Sequence, residues 1–219
     1  MTPDAADRID ALLVRQSGRA AVVVAGGRSG ETLYAVDADE TVFAASLYKL
    51  GVLLEAERRL EAGTLRAADP ITVTAADQSE SGSFTATGSV LTVDEALERA
   101  IVLSDNAAAL ALIRRLGISQ VQATLDREGI YLRFTADGAV TTARGIATFF
   151  GELVRGSLVS REASARMLAR LSRQRSVDRL PAALPAGAVL AHKTGNLGFA
   201  THDAGIVTLP DGARSCWWC

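Results

Sequence analysis

Apolar residues recur with helical spacing through the middle of the chain and as continuous or alternating runs near its two ends. Asp4 to about Gln16, with Ile9, Leu12 and Leu13 on one face and an acidic first turn, reads as an amphipathic helix. Ala20–Ala25 reads as a buried strand, Gly26–Gly30 as a turn and Glu31–Val36 as a second strand. A glycine-rich turn followed by a strand rather than a helix is a hairpin, not a phosphate cradle. From Phe43 an extended apolar segment passes into a helix whose Leu50, Val52, Leu53, Leu54 and Leu60 alternate with Glu55, Arg58 and Arg59, ending near Gly63. A short extended piece follows at Asp69–Thr74, then a Ser-, Gly- and Thr-rich loop over Gln78–Val90. Helices are predicted from Thr92 to about Leu103, Asn106 to Leu116, Ser119 to about Glu128, Thr141 to about Arg155 and Arg161 to about Arg173, with Thr92 and Ser119 as caps. Pro181–Gly187 is a linker, Ala188–Lys193 and Ala204–Leu209 are strands, Pro210–Gly212 is a turn, and Ala213–Trp218 begins a third strand.

Strands at the two ends and helices between them predict an α+β fold: one antiparallel sheet built from both chain ends, with a helical domain inserted in the middle. The expected division gives 1–42 and 186–219 to the sheet and 43–185 to an all-helical part, with a cleft at their junction. At 219 residues and 22.9 kDa, with 48% hydrophobic and 22% charged residues, the chain has the composition of a soluble globular protein. The net charge of −2 is spread without a basic run, which argues against nucleic acid or an anionic membrane as partner. No apolar run is long enough to span a bilayer, and the acidic start Met1–Asp7 has no export-signal pattern, so the expectation as written is a cytoplasmic monomer. Cys216 and Cys219 form a terminal C-x-x-C without the strand-to-helix context of a redox motif, and read as idle thiols.

Chemistry enters with Ser46 and Lys49. A serine at a helix start can cap, and a lysine three residues on can be a solvated cation. The same pair, one turn apart, can also be a nucleophile and its base if burial lowers the lysine pKa. Of the 23 basic residues only Lys49 and Lys193 are lysines, and the only asparagines are Asn106 and Asn196. Arginine serves wherever a solvated cation suffices, so lysine at two places points to an amine able to lose its proton. Two further triplets, Ser104-Asp105-Asn106 at a break between helices and Lys193-Thr194-Gly195 at a strand end, complete S-x-x-K, S-D-N and K-T-G in that order.

With these motifs the sequence resembles the class A β-lactamases and their penicillin-recognising serine-hydrolase relatives. Asp94–Leu97, Thr141–Arg144, His192 before the K-T-G and His202–Val207 after it extend the likeness over most of the chain. The resemblance implies the β-lactamase/transpeptidase-like fold and an acyl-serine mechanism on β-lactams or acyl-D-amino peptides, without a cofactor. It assigns Ser46 as nucleophile and Lys49 as its base. Ser104 relays a proton to the leaving nitrogen, with Lys193 polarising it. Asn106 holds the substrate's side-chain amide, Lys193 and Thr194 its carboxylate, Gly195 gives close approach, and the backbone N–H groups of Ser46 and Asn196 form the oxyanion hole. Asp105 is read as bracing the turn and Tyr48 as packing. His192 and His202 lack a third partner for a metal site.

The resemblance breaks at three places. Between the S-D-N region and the later helix the family carries an E-x-x-L-N loop for deacylation, whereas Ile130–Val140 contains neither glutamate nor asparagine. Glu128 and Asp137 are nearby carboxylates outside any matching motif. The family also continues through a last strand into a C-terminal helix, so a truncated last strand, an open sheet edge and reduced stability are expected here. The family is usually exported, unlike the expectation above. Acylation is therefore expected to be intact, with a D-amino-acid peptidase or esterase, a slow-deacylating penicillin-binding module or an inactive relative as the other readings.

Overall fold

The computed structural model describes residues 2–26 and 29–218. Cys219 and the centre of the first hairpin turn, Gly27 and Arg28, lie outside the described residues. Helix α1 (Pro3–Leu13) precedes β1 (Val22–Gly26), β2 (Thr32–Val36) and β3 (Val42–Phe43). A 3₁₀ turn over Ala45–Tyr48 leads into α2 (Lys49–Glu61), then β4 (Pro70–Thr72), β5 (Val90–Thr92), α3 (Val93–Val102), α4 (Asn106–Leu116) and α5 (Ile118–Arg127). After them come β6 (Leu132–Thr135), β7 (Gly138–Thr141), α6 (Ala143–Arg155), α7 (Arg161–Leu171), β8 (Val189–Leu197), β9 (Ala200–Thr208) and β10 (Arg214–Trp218).

The main sheet has the order β2-β1-β10-β9-β8, antiparallel throughout, so strands from both chain ends interleave as the pattern predicts. β10 pairs with β1 on one side and β9 on the other. The open edge expected at the end of the chain is therefore filled, and the edge strands of the sheet are β2 and β8. Helix α6 packs across β1, β9 and β10, and α7 against β8. In the helical part α2 is central, buried from Lys49 to Glu57 and flanked by α3, α4, α5 and α7. Its buried Glu55 is neutralised by Arg58 at 2.7 Å and Arg59 at 2.6 Å and accepts the Thr124 hydroxyl at 2.6 Å.

Two local expectations change. Ser119 is not a cap: α5 begins one residue earlier, after Gly117, whose φ of +84° suits glycine. Thr92 does cap α3, accepting from the Glu95 N–H in a reciprocal capping box. More consequentially, Ile130–Val140 is not a loop. It carries β6 and β7, joined through Ala136 and Asp137, and β7 also pairs with β3 through Val42↔Thr141 and Phe43↔Val140. Strands thus occur inside the segment read as all-helical. Asp137-Gly138 between alternating apolar positions is a hairpin signal, and Gly138 supplies the positive φ of 130° that the turn needs.

Candidate active site

The segment that carries Ser46 is built by strain and close packing. β3 ends at Phe43, the Ala44 N–H donates to the Ala139 carbonyl at 2.7 Å, and Ala45 adopts φ +46°. A left-handed alanine costs on the order of 1 kcal/mol, and the surrounding contacts hold it. Tyr48 packs edge-on against Phe134 of the hairpin, 5.7 Å being the corresponding spacing of Phe43 and Phe199 nearer the surface and 6.2 Å that of Tyr48 and Phe134. No side chain caps either the 3₁₀ turn or α2, so the Ser46 hydroxyl is not spent on helix capping.

Lys49, fully buried, lies 3.2 Å from Ser46 Oγ and 3.1 Å from Ser104 Oγ. Its Nζ also donates to the Ser104 carbonyl and to Asn106 Oδ1, both at 2.6 Å. Burial pushes its pKa down to about 7, against the opposing pull of the Asp105 carboxylate. Lys193, also fully buried, donates to Ser104 Oγ at 2.9 Å and to the Thr194 carbonyl at 2.8 Å. Burial first, then the positive charges of Lys49 and Arg179, hold its pKa well below the ordinary lysine value, with Asp203 opposing. The two amines thus meet on one hydroxyl, that of Ser104, itself held at φ +58°.

Asp105 is buried and caps α4: its Oδ1 accepts from the Ala107 and Phe84 N–H groups at 3.0 Å, and its Oδ2 from the Thr85 hydroxyl at 2.5 Å. It fixes the turn between Ser104 and Asn106 from below. Gly195 sits where a Cβ would lie 3.1 Å from Ala45 Cβ, 3.2 Å from the Ala44 carbonyl and 3.2 Å from His202 Cδ2. The glycine lets β8 press against the turn that carries Ser46, a packing reason that the sequence reading did not contain. Thr194 is buried with its hydroxyl 3.4 Å from Ser176 Oγ, while Asn196 is exposed near the outer end of β8. β8 is an edge strand, so alternate backbone N–H groups fall outside the ladder on the side of the 3₁₀ turn.

The histidines lie on opposite faces of the sheet, because His192 pairs with Gly205 and His202 with Gly195, an odd number of residues away along β8. They cannot share a metal. His192 Nδ1 lies 2.7 Å from Asp203 Oδ1, whose other oxygen accepts the Leu180 N–H at 3.1 Å. His202 Nε2 lies 2.8 Å from the Phe43 carbonyl, and burial lowers its pKa. The site also holds a residue that pattern reading missed. Arg179 reaches the Gly195 carbonyl at 2.9 Å and the His202 carbonyl at 2.6 Å, placing a guanidinium beside the K-T-G strand. Nothing in its local sequence distinguishes it from the other arginines.

Beside this half-buried serine next to a buried lysine, the chain matches one family model, that of the β-lactamase enzyme family, over residues 4–217. The chain belongs to the β-lactamase enzyme family. No curated protein matches it in sequence. Among solved structures, PBP-A superposes with a TM-score of 0.89 at 27% identity, covering 99% of this chain and 86% of that one. A β-lactamase from Sphaerobacter thermophilus DSM 20745 gives 0.88 at 23% identity, over 100% and 89% of the two chains. An ancestral class A β-lactamase gives 0.86 at 27% identity, over 97% and 88%. The β-lactamase/transpeptidase-like fold is thereby shown, and membership makes the chain a hydrolase of the β-lactam-cleaving kind.

Proposed function

We propose that this β-lactamase-family protein opens the β-lactam amide through a covalent acyl-Ser46 intermediate. The observation that carries the proposal is Lys49: a fully buried amine, its pKa near 7, 3.2 Å from the Ser46 hydroxyl. When neutral, its two N–H bonds are taken by the Ser104 carbonyl and Asn106 Oδ1, its two shortest contacts, and its lone pair is left to the hydroxyls. Ser46 Oγ attacks the carbonyl carbon as its proton passes to Lys49 Nζ. The oxyanion is received by the backbone N–H groups of Ser46 and Asn196. As the C–N bond breaks, the leaving nitrogen takes the Ser104 hydroxyl proton, and Ser104 is reprotonated from the lysine ammonium that took the Ser46 proton. Lys193 polarises Ser104, and Thr194, with Arg179 behind the strand, makes the positive, hydrogen-bonding end that a substrate carboxylate seeks. Asn106 holds the side-chain amide.

Water must then release the acyl group, and one observation favours a slow release. The segment that carries E-x-x-L-N in class A enzymes is here the β6–β7 hairpin, with no glutamate, and its Asp137 sits exposed at the tip. The protein shares its fold equally with PBP-A, a mutant of which forms an acyl-enzyme with penicillin G. Acylation and deacylation are separated by incubating the protein with a fluorescent penicillin and chasing the label. Wild type takes up one label and Ser46→Ala none. Release within minutes marks a hydrolase, and retention over hours a penicillin-binding module. Absence of label on the wild type, or label persisting on Ser46→Ala, overturns the assignment.

A further inference from the structure

The carboxamide of Asn106 has no free N–H. Its Nδ2 donates to the Ser81 carbonyl at 2.8 Å and to the Ser79 hydroxyl at 3.2 Å, while Oδ1 accepts from Lys49 at 2.6 Å. The orientation is fixed by chemistry, since the reverse would set an NH₂ against the Lys49 amine and an oxygen against the Ser81 carbonyl. Any substrate carbonyl that takes a hydrogen bond from Asn106 must therefore displace one of two oxygens.

The two differ in how firmly they are placed. Ser81 contributes a backbone carbonyl in a segment pinned to Asn106 a second time, the Asn106 N–H donating to the Gly82 carbonyl at 2.7 Å. Gly82 takes φ +68°, and a Cβ there would lie 2.9 Å from Asn106 Nδ2, so this part of the loop lies flat against the carboxamide. Ser79 instead offers an exposed side-chain hydroxyl, held by its own donation to the Ser81 carbonyl at 2.5 Å and by Ser83 Oγ at 3.1 Å. One χ1 rotation carries it into solvent.

We propose that Ser79 is a specificity-determining residue: its hydroxyl occupies the Asn106 N–H that a substrate's side-chain amide carbonyl takes, and such a substrate binds by displacing it. The inference rests on the role given to Asn106 above. It divides β-lactams by chemical class. Those with an acylamido side chain must break the Asn106–Ser79 bond and replace it. Those with no carbonyl at that place leave the bond intact.

The test compares benzylpenicillin with 6-aminopenicillanic acid, which carries a free amine in place of the acylamido group, using acylation kcat/KM in wild type, Ser79→Ala and Ser79→Thr. One ordinary protein hydrogen bond sets the scale, so Ser79→Ala raises the benzylpenicillin-to-6-aminopenicillanic acid ratio by about fivefold. Ser79→Thr keeps the hydroxyl and keeps the wild-type ratio. A ratio unchanged or lowered in Ser79→Ala, or raised equally in Ser79→Thr, overturns the proposal while leaving acyl-Ser46 chemistry standing. If neither compound acylates wild type at Ser46, the functional reading fails, and this proposal with it.

Discussion

Replacing Lys49 by methionine is expected to abolish acylation and, at neutral pH, to make the protein more stable. The lysine is fully buried and its pKa falls from 10.5 to about 7, first because burial disfavours the charge. At about 1.4 kcal/mol per pH unit, holding this amine in the fold costs roughly 4–5 kcal/mol. The sign follows from proton counting. Below about pH 7 both folded and unfolded chains carry the proton and the cost is full. Between about 7 and 10.5 only the unfolded chain carries it, so stability climbs with pH as the cost fades. Methionine removes that cost but leaves the Ser104 carbonyl and Asn106 Oδ1 without their lysine donor, a loss of roughly 1–1.5 kcal/mol each. The balance is a gain of about 2 kcal/mol at pH 6.5 that reverses to a loss of about 1 kcal/mol by pH 9.5. Urea unfolding of both proteins at the two pH values measures it, and because Lys193 loses the repulsion of the Lys49 charge in the variant, its contribution adds to the gain at pH 6.5 rather than opposing it. A variant less stable than wild type at pH 6.5, or a difference that does not change with pH, would refute the argument that the nucleophile's base is held at the expense of the fold.

Two further outcomes follow from the site. Acylation kcat/KM should rise with pH through about 7 and level off above it, standing near a tenth of its plateau at pH 6, because only neutral Lys49 accepts the Ser46 proton; a profile flat from pH 5.5 to 8 would exclude that role. Gly195→Ala forces the Ala44–Ala45 turn and the His202 ring to give by a few tenths of an ångström, so we expect a loss of about 1–2 kcal/mol in stability and at least a tenfold slower acylation, and unchanged labelling kinetics would show that the turn absorbs the methyl freely.

The helices were legible from their apolar periods, and of the two caps read from the sequence Thr92 holds with Glu95 while Ser119 does not; Asp105, Thr142 and Ser160 also accept the N–H that a first turn leaves unpaired, a role the sequence reading did not give them. The two-ended sheet followed from apolar runs at both termini. The β6–β7 hairpin was hidden because its strands are four residues each and mix buried Leu132 and Ala139 with half-buried Arg133, Phe134 and Val140, a weak alternation. β8 was read as ending at Lys193, yet it runs on to Leu197 through Gly195, which ordinarily punctuates a strand and here admits the nucleophile turn. In the site, Ser46, Lys49, Ser104 and Lys193 carry spacing signals, and the structure links them in one run of hydrogen bonds, Ser46 to Lys49, Lys49 to Ser104 and Ser104 to Lys193. Arg179 and Ser79 have no such signal. Their positions depend on where a loop returns, which local periodicity does not encode.

The hairpin that replaces the expected loop ties acylation and deacylation to different parts of the chain. β7 is hydrogen-bonded to β3 immediately before the nucleophile, the Ala139 carbonyl receives the Ala44 N–H, and Phe134 abuts Tyr48. These contacts hold Ala45 at its unfavourable φ and so aim Ser46 at Lys49 and at β8. A segment engaged in this way on its inner side presents its ladder to the nucleophile turn, and its one acidic residue, Asp137, is at the exposed tip. It serves the attack and brings no carboxylate to the water. On the proposed mechanism the group that assists water at the acyl carbon is the one that assisted Ser46, Lys49. A single base then works in both half-reactions, and it is regenerated neutral only after the leaving nitrogen has taken its proton. Whatever limits the second half therefore acts on Lys49, and the lifetime of the acyl-enzyme should shorten as pH rises through the same value, about 7, that governs its formation.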